Sequence, residues 1–393
     1  MWPARSFFSK VWYLVVFLGL ISFFHIYSIL TESNLLTFIK SLRIVPINCP
    51  PETKRVYPSD NQIIKTPMRL IVAYMRSGST LTADLVRHIE GDFYMFEPLH
   101  GISQAVNRKS AIQFVNGTER MISKNELENV HAELLYSWFT CNFEHIDMTI
   151  LTSYFIEGLT PELGNYYRCI NPKNTTLSKL ELVRDCLWML RDRCLRAGTR
   201  TIKTIRLSLV MAGKLLEWLP TLKIVHLVRD PRGTLHSQFT NLLNEANLSV
   251  SAKDLCGRIV LDLSALEEVQ YCHKDRIMSV IYENLCQNPL TIVQNIYNFL
   301  KINYTKSVKD YVTRIMKGPV KLCAYCTNRG NSVVNAYRWI STIPRHVIQT
   351  IDKHCSFLYS KLGYLHLNYD NLANTTKSWQ PVEYRFWKFL LWF

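Results

Sequence analysis

Glycine and proline are scarce, 14 and 15 among 393 residues, which excludes collagen-like chains and makes extensive disorder a poor description. Neither an internal repeat nor a low-complexity tract is present. Charged residues make up only 20% of the chain, and acidic ones are the scarcer sign, 31 against 46 Lys and Arg, for a net charge of +15. An anionic partner is therefore expected, and charge alone leaves nucleic acid, membrane lipid, a phosphorylated cofactor and an acidic polysaccharide open. No run of five or more basic residues occurs, so the unstructured basic arm of many nucleic-acid binders is missing, and no nucleic-acid partner is expected. Two further absences concern chemistry. No GxxxxGK[ST] loop supplies the lysine of a nucleotide triphosphate site. Cys323 and Cys326 form a CxxC that no second CxxC or close His pair completes into a zinc site, so a structural disulfide, between these two or with a distant cysteine, is expected, and no metal.

What is present is hydrophobic residues, 48% of the chain, enough for one sizeable α/β domain with anchoring segments or two modest domains; one main domain is the simpler organisation. Val11 to Leu30 is almost wholly apolar, long enough to span a bilayer. Arg5 and Lys10 precede it and Glu32 follows, which keeps residues 1–10 cytosolic and sends the rest to the lumen. The alternative is a cleaved signal peptide, whose apolar region is shorter and ends in a small-residue cleavage site that is not seen here. Five Asn-x-Ser/Thr sequons, at Asn116, Asn174, Asn247, Asn303 and Asn374, agree with a secretory-pathway protein. In that oxidising compartment eleven cysteines form disulfides and at least one lacks an internal partner. Cys49 is the expected one, free or linking two chains, which leaves a homodimer open. Residues 31–66, with Pro46, Pro50, Pro51 and Pro58, read as a stem. Residues 67–370 form the folded domain. Residues 371–393 form an aromatic tail, RFWKFLLWF at its end, that docks onto the domain or inserts at the membrane interface.

Within the domain Met68 to Met75 is a short apolar run of the kind found in buried parallel strands. Arg76, Ser77, Gly78, Ser79 and Thr80 follow, then Leu81 to Glu90 with helical spacing. Strand, tight loop and helix start together let backbone N–H groups wrap an anion, with an ordinary capped helix start as the bland alternative. A second such unit comprises a strand at Thr201–Arg206, a helix at Leu209–Leu219, a strand at Lys223–Val228, and then Arg229, Asp230 and Pro231 at the strand end where open α/β sheets place ligands. Helices are expected at Pro289–Leu300, Val333–Ile340 and Pro344–Leu362, the last closed by Gly363. The fold class is α/β: a P-loop-like, doubly wound, mostly parallel sheet flanked by helices, behind an N-terminal transmembrane helix.

These segments resemble a known family. RSGST after its strand looks like the 5'-phosphosulfate loop of sulfotransferases, and HLVRDPRGTLHS (His226 to Ser237) is similar to their 3'-phosphate segment. The spacing of Arg229 and Ser237 is that of the Golgi carbohydrate 6-O-sulfotransferases, which act on galactose, N-acetylgalactosamine and N-acetylglucosamine. DFYMFEPLH, IKTIRL, YENLCQNPL, TNRGNSVVNAYRW and CSFLYSKLGY keep the family's order. The resemblance implies the co-substrate PAPS and a glycan acceptor such as keratan, chondroitin or N-acetylglucosamine-containing chains. It also implies a single-pass type II protein of the Golgi membrane. By position it puts Tyr74, Met75, Arg76, Ser77, Gly78, Ser79 and Thr80 around the 5'-phosphosulfate. Arg229 and Ser237 would hold the 3'-phosphate, with Asp230 and Arg232 in the same segment; the alternative for Arg229 is an ion pair with Asp230. Arg329 and Ser332 resemble a further donor contact. Gly233 and Thr234 depart from the small apolar residues usual in the family, and the stretch from Gln238 to Asp262 is short, which leaves the acceptor's identity open. Sulfuryl transfer spreads charge over equatorial oxygens, so Arg76 can act catalytically as a placed cation. The base that takes the acceptor's proton would be Glu97, with His100 as alternate; the bland reading makes Glu97 a carboxylate paired with an arginine.

Overall fold

The computed structural model describes residues 65–87, 91–160, 163–241, 245–320 and 325–380. The expected cytosolic tail, the apolar span 11–30, nearly all of the stem and the end of the aromatic tail lie outside these residues. Among the described residues no helix is long and apolar enough to cross a membrane.

Seven strands occur among the described residues: β1 (Met68–Val72), β2 (Asp92–Phe96), β3 (Ile112–Gln113), β4 (Glu119–Arg120), β5 (Thr199–Thr204), β6 (Leu222–Val228) and β7 (Ile277–Ile281). Five form one parallel sheet in the order β2-β5-β1-β6-β7, and β3 with β4 makes a small antiparallel hairpin. Every residue of β1 is buried, Arg69 included, as expected of a mostly apolar strand covered on both faces. The chain leaves β1 toward β2, returns through β5, and then crosses to β6 on the other side, so the strand order reverses at β1. Such a reversal opens a crevice at the carboxyl ends of the strands. Register fixes what meets there, because Val72 is level with Thr204 on one side and His226 on the other. The residues just past each strand end therefore converge: Tyr74–Ser79, Ile205–Arg206 and Arg229–Asp230.

The first crossover helix, Ser79–Val86, begins two residues before the expected Leu81 because Gly78 takes a left-handed conformation, φ 98°, at its start. A Cβ on Gly78 would lie about 2.4 Å from the Tyr282 ring, which no side chain tolerates. The helices Leu209–Trp218, Pro289–Leu300, Ser332–Thr342 and Arg345–Leu362 fall within two residues of the expected bounds, and Gly363 closes the last one at φ 78°. β2 and β7 were not expected as strands. Each has only five residues, and β7 runs straight into a helix without a glycine or proline to mark its end. Packing continues past residue 370, where Trp379 is buried and donates its indole N–H to the Leu362 carbonyl at 3.2 Å.

Disulfides join Cys141 to Cys194, Cys169 to Cys186 and Cys256 to Cys355. Cys272 and Cys326 are also disulfide-bonded, whereas Cys286 is a buried free thiol, its pKa pushed up to about 12 by burial. Cys49 and Cys323 lie outside the described residues. All five sequon asparagines, Asn116, Asn174, Asn247, Asn303 and Asn374, are exposed.

Candidate active site

The loop after β1 is stapled from within. Ser77 Oγ donates to the Tyr74 carbonyl at 2.7 Å and accepts from the Tyr74 N–H at 3.2 Å. The Tyr74 ring is buried, its hydroxyl donating to Asp262 at 2.9 Å and lying 3.1 Å from His226 Nε2. The side chains of Tyr74 and Ser77 therefore shape the loop from behind. Gln238 donates to the Met75 carbonyl at 2.9 Å, which holds the loop's outer edge. The helix that follows has no side-chain cap, so the N–H groups of its first turn, from Ser79 through Thr80, point into the crevice without an intrahelical partner. Aligned peptide dipoles make that end a place for negative charge.

Cations gather opposite it. Arg76 sits in the left-handed region at φ 67°, an uncommon conformation for a side chain of this size, and its Nε donates to Ser237 Oγ at 3.1 Å. Arg229, just past β6, donates to the Arg76 carbonyl at 3.0 Å and lies over the Tyr282 ring at 4.7 Å. Its Nε is buried and has no partner. Burial lowers the pKa of Arg76, and the charges of Arg329 and Arg229 lower it further. Three guanidiniums thus crowd one crevice, and repulsion of this kind is relieved by an anion. Arg329 Nε also donates to the Cys326 carbonyl at 2.9 Å.

One alternative for Arg229 falls away here, and the expectations for Asp230, Arg232 and Ser332 change. Arg229 does not pair with Asp230. Instead Asp230 caps the helix Pro231–Phe239 and holds Arg232 through two bonds, 3.0 Å to Nε and 2.8 Å to Nη2. Both side chains are 0% exposed, and the Arg232 guanidinium lies 4.1 Å from the Tyr359 ring centre and 5.4 Å from that of Trp339. Asp230 and Arg232 are therefore enclosed behind the strand end, where they brace Arg229 and leave the crevice to it. A Cβ on the family-atypical Gly233 would come within 2.7 Å of the Trp339 indole nitrogen, so the glycine suits that packing. Ser332, at the first turn of its helix, donates its hydroxyl to the Cys286 carbonyl at 2.9 Å, which commits it to joining two helices.

On the other side of β1 the end of β2 turns through Glu97, at φ 50°. Its Oε1 accepts from Lys203 at 2.5 Å, and its Oε2 accepts from Arg206 at 2.5 Å and from the Ile205 N–H at 3.3 Å. Of the roughly four lone-pair directions of a carboxylate, three are filled. Arg206 also donates to His100 Nδ1 at 2.9 Å. A guanidinium only donates, so Nδ1 accepts and the neutral ring carries its proton on Nε2. Burial first, and then the Arg206 charge, lower the His100 pKa. Lys203, buried in β5 and held 4.4 Å above the Phe96 ring, was not singled out from sequence, although a lysine within the expected strand Thr201–Arg206 was the available signal. Burial lowers its pKa against the upward pull of Glu97. Among the described residues no group of His, Cys, Asp and Glu could hold a metal ion.

Over residues 67–306 the chain matches the model described as the Sulfotransferase family. The chain belongs to the sulfotransferase family. It is 25% identical over 337 residues to Carbohydrate sulfotransferase 1 of Danio rerio, covering 76% of this chain and 78% of that protein. With Carbohydrate sulfotransferase 3 of Tetronarce californica it shares 25% over 324 residues, covering 75% and 72%. Among solved structures, the sulfotransferase domain of the Synechococcus PCC 7002 olefin synthase aligns at TM-score 0.40 and 17% identity, over 76% of this chain and 98% of that one. Mouse sulfotransferase SULT7A1 complexed with PAP aligns at 0.38 and 14%, over 73% and 82%. As a PAPS-dependent sulfotransferase the chain needs a site for a nucleotide bearing phosphate and phosphosulfate groups. The crevice fits that need in the unpartnered Arg229 Nε, the uncapped helix start and the arginine cluster.

Proposed function

We propose that the protein transfers the sulfuryl group of PAPS to a sugar hydroxyl, the 6-hydroxyl of N-acetylglucosamine, N-acetylgalactosamine or galactose, in glycoprotein or proteoglycan glycans. The observation that carries this reading is the meeting of Arg76, Arg229 and the bare helix start at one strand-end crevice, with the Glu97 cluster beside them. Arg229 and Ser237 hold the donor's 3'-phosphate, a forked guanidinium being suited to phosphate oxygens. Arg76 and the N–H groups of the helix start neutralise charge that grows on the sulfuryl and bridging oxygens during in-line transfer. Lys203, kept charged by Glu97, adds a second cation from the opposite strand. Glu97 uses its remaining lone pair to take the acceptor's proton as the O–S bond forms. His100, with Nδ1 occupied, offers Nε2–H to an acceptor oxygen.

Three disulfides and five exposed sequon asparagines support an oxidising lumen. With residues 11–30 as the anchor, the reading is a type II protein of the Golgi membrane. The test is incubation of the luminal domain with labelled PAPS and desulfated keratan, chondroitin and N-acetylglucosamine-terminated acceptors. Labelled glycan, with sulfate mapped to a 6-carbon, is expected. Label on a tyrosine peptide and on none of the glycans would overturn the acceptor assignment.

A further inference from the structure

Between the arginine crevice and the Glu97 cluster stands a wall of aromatic rings. Phe96, at the end of β2, Phe155, on the helix Tyr154–Leu159, and Tyr325 form a triangle with centroids 5.7, 5.9 and 5.7 Å apart, each pair edge to face. The His100 ring packs on Phe155 at 4.5 Å, tilted 32°. The triangle is graded in exposure: Phe96 is buried, Phe155 half-buried, and Tyr325 43% exposed. Both ends of the wall touch the machinery. Lys203 lies against Phe96, and the Tyr325 phenol is close enough to Arg76 to pull its pKa upward. The adenine ring is the one part of the donor that would stack on an aromatic, and this wall stands instead beside Arg76, at the phosphosulfate end of the crevice, and beside the Glu97 cluster.

A sugar ring has apolar C–H faces and a hydroxyl rim, so it is recognised by an aromatic surface with donors and acceptors at its border. This wall has that composition, with Tyr325 and Phe155 as surface and His100 Nε2–H, Arg206 and Glu97 along one border. We propose that Tyr325, Phe155 and His100 form the acceptor subsite, in which a hexose or hexosamine ring packs on the aromatic pair and its hydroxyl is presented between Arg76 and Glu97. The assignment rests on the carbohydrate reading above and adds to it the residues that choose the acceptor.

The experiment compares wild type, Tyr325→Ala and Tyr325→Phe, measuring initial rates against PAPS and against a glycan that the wild type sulfates, together with affinity for 3',5'-ADP. Because Tyr325 is partly exposed, its truncation leaves the core packed, and retained 3',5'-ADP affinity verifies this. Tyr325→Ala is expected to raise the acceptor KM about 5- to 10-fold while the KM for PAPS stays within twofold, and Tyr325→Phe is expected to restore most of the loss. An unchanged acceptor KM in an active Tyr325→Ala enzyme overturns the subsite and leaves the carbohydrate reading intact. A KM for PAPS that rises in step with that of the acceptor also overturns it, by placing Tyr325 in the donor site. A wild type that sulfates no glycan overturns the reading and the subsite with it.

Discussion

Replacing Glu97 by glutamine removes one charge from a network in which the other charges have unequal freedom. Glu97 and Lys203 side chains are 3% and 4% exposed, whereas Arg206 is 23% exposed and can turn toward solvent. Lys203 cannot. Breaking a buried pair by removing one partner costs about 3–5 kcal/mol, which on a domain of this size lowers Tm by roughly 5–10 °C. The sign of the pH dependence follows from Lys203, whose pKa burial already lowers and which loses its opposing carboxylate in the variant. Between its lowered folded value and the ordinary lysine range the unfolded chain binds more protons than the folded one, so stability rises with pH there. The Tm deficit should thus shrink as the pH rises toward the ordinary lysine pKa of about 10.4. Turnover should fall by roughly 10² to 10⁴ if Glu97 takes the acceptor's proton. Thermal unfolding across pH, 3',5'-ADP titration and steady-state rates on one preparation separate these effects. A deficit in Tm with near-normal turnover removes Glu97 as the base and retains it as the partner of Lys203. An unchanged Tm at pH 7 would refute the reasoning about the buried pair itself.

Gly78→Ala should abolish donor binding or lower it severely, because the new Cβ would collide with Tyr282 and the backbone is left-handed there; wild-type affinity for 3',5'-ADP by calorimetry would contradict the loop geometry. The His100 pKa is depressed by burial and then by Arg206, so the ring stays neutral at pH 7 and its protonation should appear as an acid limb below about pH 6.5. A pH–rate profile of His100→Gln should lack that limb, and an identical limb in the variant would assign it to another group. N-glycosidase treatment of full-length protein from a secretory host should shift its mass by at least two glycans; no shift would count against the luminal placement.

β1 and β6 were legible because each is a mostly apolar run bounded by a change of character, and a strand covered on both faces is written locally. Arg229 was legible for the same reason, standing at the end of such a strand. Asp230 and Arg232 were not. Their pairing is local, but what closes over them comes from Trp339 and Tyr359, more than a hundred residues along the chain. The partners of Glu97 illustrate the same limit, since Lys203 and Arg206 reach it only because β2 and β5 pair with Phe96 level with Lys203. Sequence suggested an arginine partner as one alternative. It gave no sign that the lysine would meet Glu97, because the register of two non-consecutive parallel strands is a tertiary property.

The donor site is the centre of the account, and Arg229 carries its most specific claim, a buried guanidinium nitrogen waiting for a phosphate. Calorimetric titration of 3',5'-ADP into wild type and Arg229→Ala tests it directly, with circular dichroism and Tm verifying the fold. A charge-assisted hydrogen-bond pair to phosphate contributes about 2–5 kcal/mol when one partner is truncated, so the variant should bind at least about 30-fold more weakly, while 5'-AMP, which lacks the 3'-phosphate, should lose little. Equal affinity of wild type and variant for 3',5'-ADP would contradict the assignment of the crevice to the donor.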